Sequence, residues 1–305
     1  MGVEAASTST SRPALEPTVK MLMKSIMLLL GFVSLFVRGA NPSSKVILIS
    51  RAVSAPMIDG RLNDACWKQA KPIPVIYPHG KSGKTPDPVP MTTWMTWDKH
   101  YLYLAYEVND TNLVALGTGQ KTGPPKNRRP QSLEYAPEKN LDLAEFFISF
   151  GSRQFFWEIH HNAANHLNTL WIEIPSLDQL AKIEKPAYQH VTFHRDRYLP
   201  DQGTRTLKQA VQLKKKANNQ FSTLNESSDR DSGYSGELRL PWAGLLFDQS
   251  KKKGIPQIKD LRLSLLAVNL NGNKGRALYY SSGSGMPKLM YHFSSHKWPV
   301  YRFVD

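Results

Sequence analysis

The chain has 305 residues, 39 Lys and Arg against 25 Asp and Glu, and a single cysteine, Cys66. One cysteine excludes a disulfide-stapled scaffold, so burial alone must hold the fold, which a chain of this length can supply. The formal charge of +14 favours polyanions in general, but the excess sits in loop-like runs, KTGPPKNRR near residue 125 and KKK at 214–216 and 251–253, which read as solvated charge and not as a nucleic-acid surface.

Lys20 and Lys24 precede SIMLLLGFVSLFV, Ser25 to Val37, thirteen uncharged residues followed by RGANPSSK. This is the order of a secretory signal peptide, with cleavage near Gly39 or Ala40 and a start at Met1, Met21 or Met23; the apolar run is short of the ~20 residues that a spanning helix needs. The expected organisation is an N-terminal extension and signal peptide over 1–40 and one domain over 41–305, secreted or periplasmic, with no membrane contact once mature.

Past residue 45 the hydrophobic pattern has period two. KVILIS, PVIY, MTTWMTW, YLYLAYEV, AEFFISF, QFFWEIHH, LNTLWIEI, RTLKQAVQL, YSGELRL, LRLSLLAV, RALYY and WPVYRFV follow one another between clusters of Gly, Pro, Asn and Asp. Alternation with β-branched and aromatic residues predicts short strands, and many of them at this spacing predict an all-β fold, a sandwich or barrel. Helical signal is confined to NDACWKQA, SLDQLAKI and PWAGLLF; Asn63 or Asp64 is expected to cap the first, and Pro241 to sit in the first turn of the last. Two stretches, 117–140 and 214–233, read as unstructured surface insertions because they carry almost no aliphatic residues. Two strands, YLYLAY and QFFWEI, have large rings on both alternating sides, so some aromatics are expected to face outward.

Motifs for catalysis are weak. GKSGKT lacks the first glycine of a phosphate loop, since position 78 is Pro78, and runs into PDPVP instead of a helix. His190 and His194 are four apart in a strand pattern without the Glu of a zinc-protease helix, and His160, His161 and His166 fall on a strand end and turn, so no metal is assigned. Glu145 and Glu158 on neighbouring strands are the pair that a glycoside hydrolase would need at ~5–9 Å, yet no serine elbow or other catalytic motif accompanies them. Flat rings beside carboxylates and amides suit a different chemistry, stacking on sugar C–H faces with paired hydrogen bonds to hydroxyls.

The order of segments adds a family. IDGRLNDACWKQA, MTWDKHYLYLAYEVND, LDLAEFFISF, FFWEIHHNAANHLNTLW, GYSGELRLPWAGL, LLAVNLNGNKGRALYYSS and HKWPVYRFV, from Ile58 to Val304, together resemble the family 9 carbohydrate-binding modules found attached to xylanases. The resemblance implies an antiparallel β-sandwich, jelly-roll-like with two packed sheets, that binds an oligosaccharide or polysaccharide of xylan or cellulose type without cleaving it. It implies that the segment around Asp59, Gly60 and Trp67 closes one end of the sandwich, with Trp67 in the core. It places Tyr280 at a stacking position, Glu145 and His160 at polar contacts, and Asn269 beside Ala267, which stands where the family has an amide. A second stacking ring is expected three residues before Asp142; that residue is Lys139, and Tyr135 is the nearest ring. No cofactor is implied, although some members hold structural calcium, for which Asp110 is the candidate oxygen ligand. Alternatives from other classes are a b-type haem sandwich using Met91, Met95, His160 and His161, a hydrolase using Glu145, and a scaffold whose basic loops hold sulfated glycans.

Overall fold

The computed structural model describes residues 46–78, 90–115, 142–150, 154–184, 190–194, 207–246, 260–269, 278–282 and 298–305, all in a compact unit spanning 44–305. The apolar segment Ser25 to Val37, GKSGKT, and residues 117–140, Lys139 and Tyr135 among them, lie outside the described residues. Residues 77–78, 260–269 and 278–281 are described by their backbone pairing.

The strands are β1 (Ile47–Ser50), β2 (Ile73–Val75), β3 (Tyr77–Pro78), β4 (Met91–Trp97), β5 (Tyr101–Val108), β6 (Leu143–Ser149), β7 (Phe155–Asn162), β8 (Leu167–Glu173), β9 (Thr192–His194), β10 (Lys208–Leu213), β11 (Tyr234–Pro241), β12 (Asp260–Asn269), β13 (Leu278–Ser281) and β14 (Val300–Val304). Short helices α1 (Ala65–Gln69), α2 (Leu177–Leu180) and α3 (Trp242–Leu245) fall where helical signal was read. One sheet runs β1-β14-β12-β6-β7-β8-β9, with β13 beside β12 and β3 beside β13; the other runs β10-β11-β5-β4-β2. Pairing is antiparallel except for β1, which runs parallel to β14, so the expected all-antiparallel sandwich carries one parallel edge pair.

Period-two alternation delivers one side chain in two to the space between the sheets. From one sheet Leu102, Leu104, Tyr106 and Val108 of β5 enter it, and from the other Ala144, Phe146 and Ile148 of β6 and Trp157 and Ile159 of β7. Tyr106 is the bridge. Its ring lies 5.6 Å from that of Phe146 and 5.9 Å from that of Tyr234, and its hydroxyl is 2.7 Å from Nδ1 of His161 on β7. The other nitrogen of His161 meets Asn165 Oδ1 at 2.9 Å, and Asn165 takes a left-handed φ of 60° to present it. Complete burial lowers the His161 value to about 4, so the ring is neutral at physiological pH.

The outward aromatics expected on β5 and β7 are absent, because both strands are covered on both faces. Tyr101, Tyr103 and Ala105 of β5 pack under Cys66 and Trp67 of α1, and Phe156 of β7 packs under Trp298. Among the described residues Phe221 is the exposed aromatic. The IDGRLNDACWKQA segment thus lies over the outer face of the five-stranded sheet instead of closing one end.

What seats that segment is Glu237, fully buried on β11. Its Oε2 accepts the N–H groups of Asp59 at 2.9 Å and Gly60 at 2.7 Å, and its Oε1 accepts the indole N–H of Trp67 at 2.7 Å. The turn needs glycine at 60, where φ is +85° and an added Cβ would stand 2.6 Å from the backbone of Gln212. Asp64 occupies the N-cap position of α1 but makes no side-chain cap bond; its Oδ2 instead accepts the N–H of Met57 at 3.2 Å. Pro241 is the residue before α3 and not within its first turn.

A second set of buried carboxylates pins the chain leaving β5. Asp110 Oδ1 accepts the N–H of Asn112 at 2.9 Å, Asp231 Oδ2 that of Leu113 at 2.8 Å, and Asp142 Oδ2 that of Val114. Asp110 also shares a hydrogen bond with Asp142, and burial pushes its carboxyl up to about 6. With its folded value raised, this group contributes most to stability below the unfolded carboxylate value near 4, and the contribution is lost as pH rises to about 6. Asp110→Asn keeps the acceptor for Asn112 and offers an N–H to Asp142. It is expected to raise stability at pH 7 by up to about 3 kcal/mol and to flatten the difference between pH 4 and 6; chemical denaturation of both proteins across that range checks it.

Residues 214–233, expected to be unstructured, are folded. Lys214, Lys216 and Ser222 close a hairpin through backbone hydrogen bonds, and Asp231 Oδ1 accepts the N–H of Thr223 at 2.8 Å. Backbone and Asp, Asn and Ser side chains replace aliphatic burial here, which is why the composition misleads. Lys214 pairs with Glu107 at 2.6 Å and Lys216 with Asp229 at 2.5 Å, so two of the three charges in this basic run are matched.

Candidate functional site

On the outer face of the nine-stranded sheet the register sets Leu266 of β12, Glu145 of β6, His160 of β7 and Asn168 of β8 in one row. The next row of the same parity holds Phe147 opposite Glu158 opposite Leu170. Strand geometry therefore brings Glu145, His160 and Glu158 to one face, since i and i+2 share a side and register partners face together. His160 Nε2 is 2.7 Å from Glu158 Oε1 and 3.9 Å from Glu145 Oε1. The side chains are 9 to 12% exposed, so the cluster opens narrowly to solvent beside the buried apolar cluster of Phe147, Phe156 and Trp298. Within that buried cluster Phe156 and Trp298 meet edge to face at 5.2 Å.

The structure brings together two of the expected polar contacts, Glu145 and His160, as register partners. Tyr280 pairs with Ala267 and Pro78, and Ala267 pairs with Ala144; Tyr279 pairs with Val268, which pairs with Leu143. Tyr279 thus shares the register parity of Glu145, and Tyr280 that of its neighbour Ala144. Asn269 pairs with Leu278 at the end of β12. The sequence suggests Glu158 only as a hydrolytic partner of Glu145; the signal for its place here is the Glu158-x-His160 spacing on a strand.

Chemically the cluster offers carboxylate acceptors to a ligand rich in hydroxyls, with the His160 N–H taken by Glu158. It does not resemble a hydrolase pair, because both carboxylates approach the same imidazole nitrogen, where a scissile bond would have to lie. The four haem candidates are not gathered either. Met91 and Met95 are buried in the inter-sheet core, His161 faces that core with both nitrogens bonded, and His160 is on the opposite face of the sheet. Among the described residues no group of three or more His, Cys, Asp or Glu side chains is arranged to hold a metal ion, and Asp110 is turned onto the backbone of its own loop. A separate concavity of about 380 Å³, lined by residues including Glu173, Gln179, Lys182 and His190, contains none of the expected sugar contacts.

Residues 58–122 match the family profile described as carbohydrate family 9 binding domain-like, the stretch that includes the Asp59-Gly60 turn, Trp67 and β4–β5. The fold is similar to that of a protein from Bacteroides uniformis described as a candidate carbohydrate-binding protein, with 12% identity over 86% of this chain and 100% of the other and a TM-score of 0.51. A family 9 carbohydrate-binding module from Caldicellulosiruptor kristjanssonii, solved with cellotriose, aligns at 12% identity over 85% of this chain and 93% of that one, with a TM-score of 0.46. The same module with glucose aligns at 11% identity over 84% and 95%, with a TM-score of 0.44. No curated protein matches the chain by sequence. The resemblance to family 9 modules thus holds in the matched segment, and the expected sandwich holds throughout the described residues.

Proposed function

We propose that this protein binds a neutral saccharide, of cello- or xylo-oligosaccharide type, on the outer face of the nine-stranded sheet and does not cleave it. The observation that carries the reading is the narrowly open Glu145–His160–Glu158 cluster, with Tyr279 of β13 at a register position of the same parity. The carboxylates accept hydrogen bonds from vicinal hydroxyls, and a tyrosine ring from β13 supplies the stacking surface. The family match over 58–122 and the Bacteroides protein of like fold support a carbohydrate ligand. Export by the segment ending near Ala40, and a role in polysaccharide breakdown outside the cytoplasm, complete the proposal. Pairing of Lys214 and Lys216 with carboxylates disfavours the alternative in which that basic run grips sulfated glycans.

Glu145→Ala is expected to weaken saccharide binding by roughly 10- to 100-fold, the equivalent of losing a charge-assisted hydrogen bond of ~1.5–3 kcal/mol, with little change in melting temperature. Titration calorimetry against cello- and xylo-oligosaccharides checks this, with Tyr279→Ala and Tyr280→Ala run in parallel to identify the stacking ring. Retention of full affinity by Glu145→Ala would remove the outer face from consideration.

A further inference from the structure

We propose that Glu158 is a positioning residue for this ligand face, locking the imidazole of His160 through its Nε2–H so that a fixed ring edge stands beside Glu145. The inference rests on the saccharide-binding reading above and adds to it the residue that fixes the ring standing beside the Glu145 acceptor.

Three observations carry it. Glu158 and His160 are two residues apart on β7, so their side chains rise from the same face in adjacent rows. The 2.7 Å separation of Glu158 Oε1 and His160 Nε2 is a short charge-assisted hydrogen bond, whereas the 3.9 Å to Glu145 Oε1 lies beyond hydrogen-bonding reach. The Nε2 proton is therefore committed to Glu158, and the neutral ring is the Nε2–H tautomer. Finally, Glu158 and His160 are 8% and 7% exposed, so little water competes for the bond and the ring is held stiffly. A histidine oriented by a carboxylate that does not itself touch the ligand is a recurrent way to fix a ring's tautomer and direction.

Among the described residues the titratable groups placed against His160 include Glu158 from its own strand and Glu145 from β6; Asn168 of β8 is its register partner, and Leu266 of β12 is the register partner of Glu145. Each carboxylate favours the protonated ring, the nearer one more strongly. As pH falls and the ring gains its second proton, its attraction to Glu145 grows, and the lone pairs of Glu145 become less available to sugar hydroxyls.

The test is nitrogen-15 NMR of the histidine rings in the full chain, with saccharide titrations at several pH values. In the wild type the His160 ring is expected to show the Nε2–H tautomer at neutral pH. E158Q is expected to lower its titration midpoint by roughly one unit and to weaken binding at pH 7 by about fivefold to tenfold, the loss of ~1 kcal/mol or slightly more. E158D, which keeps the charge, is expected to recover most of the midpoint. A wild-type ring in the Nδ1–H tautomer, or an unchanged midpoint in E158Q, would overturn the proposal whatever its effect on melting temperature. If the wild type binds no saccharide at any pH, the binding reading fails, and the ring spectra still decide whether Glu158 positions His160.

Discussion

Trp67→Ala is expected to lower the unfolding free energy by ~3–5 kcal/mol, the usual cost of emptying a large buried aromatic site. Trp67 is 3% exposed and packs with Cys66, Tyr101, Tyr103 and Ala105 over the outer face of the five-stranded sheet. The indole N–H also satisfies Glu237 Oε1, so the substitution opens a cavity and strips a donor from a fully buried carboxylate at once. Trp67→Phe separates the two effects. It keeps most of the ring volume and loses the N–H, and is expected to cost about 1–3 kcal/mol. Denaturation of the three proteins measures both; a Trp67→Ala midpoint equal to that of the wild type would mean that α1 does not cover this face.

Gly233→Ala is expected to cost at least ~4 kcal/mol, the range reserved for severe local conflicts, and to leave little folded protein on expression. At Gly233 φ is +104°, and an added Cβ would fall 1.9 Å from the carbonyl oxygen of Val108 and 2.9 Å from its carbon. Both obstacles are backbone of the central strand β5, which cannot rotate aside as a side chain would. The neighbourhood is inflexible in other respects, because the carbonyl of Gly233 accepts the N–H of Lys214 at 2.9 Å and Asp231 holds two backbone N–H groups nearby. Exposed Arg230→Ala, three residues away, should stay within about 0.5 kcal/mol of the wild type. Similar stability for Gly233→Ala and Arg230→Ala would contradict the close approach of the two chains.

Strand positions were legible because alternation is a backbone property that each segment expresses alone: YLYLAYEV and MTTWMTW became β5 and β4 at the bounds read from them. Coverage of strand faces was not legible, since it depends on α1 and Trp298, distant in sequence, arriving over β5 and β7. The 214–233 stretch was misread for a related reason. Its order comes from carboxylates such as Asp229 and Asp231 bonding to lysines and to backbone, and composition counts these residues simply as polar. Glu237 looks like one more strand acid in YSGELRL; its role appears only when Asp59, Gly60 and Trp67 are brought against it. In the candidate site, Glu145 and His160 were reached through family resemblance, while Glu158 follows from strand parity once β6 and β7 are known to pair in this register.

The central claim is that a polar cluster on the outer face of the larger sheet binds a neutral sugar. The most direct measurement is calorimetric titration of the protein with cello- and xylo-oligosaccharides, and with a sulfated glycan, at low and high salt. Saturable binding of a neutral oligosaccharide that persists at high salt is expected, because hydrogen bonding and stacking are only weakly screened compared with exposed charge pairs. Binding confined to the sulfated glycan and abolished by salt would contradict it, and would transfer the ligand from the Glu145–His160–Glu158 face to the basic loops.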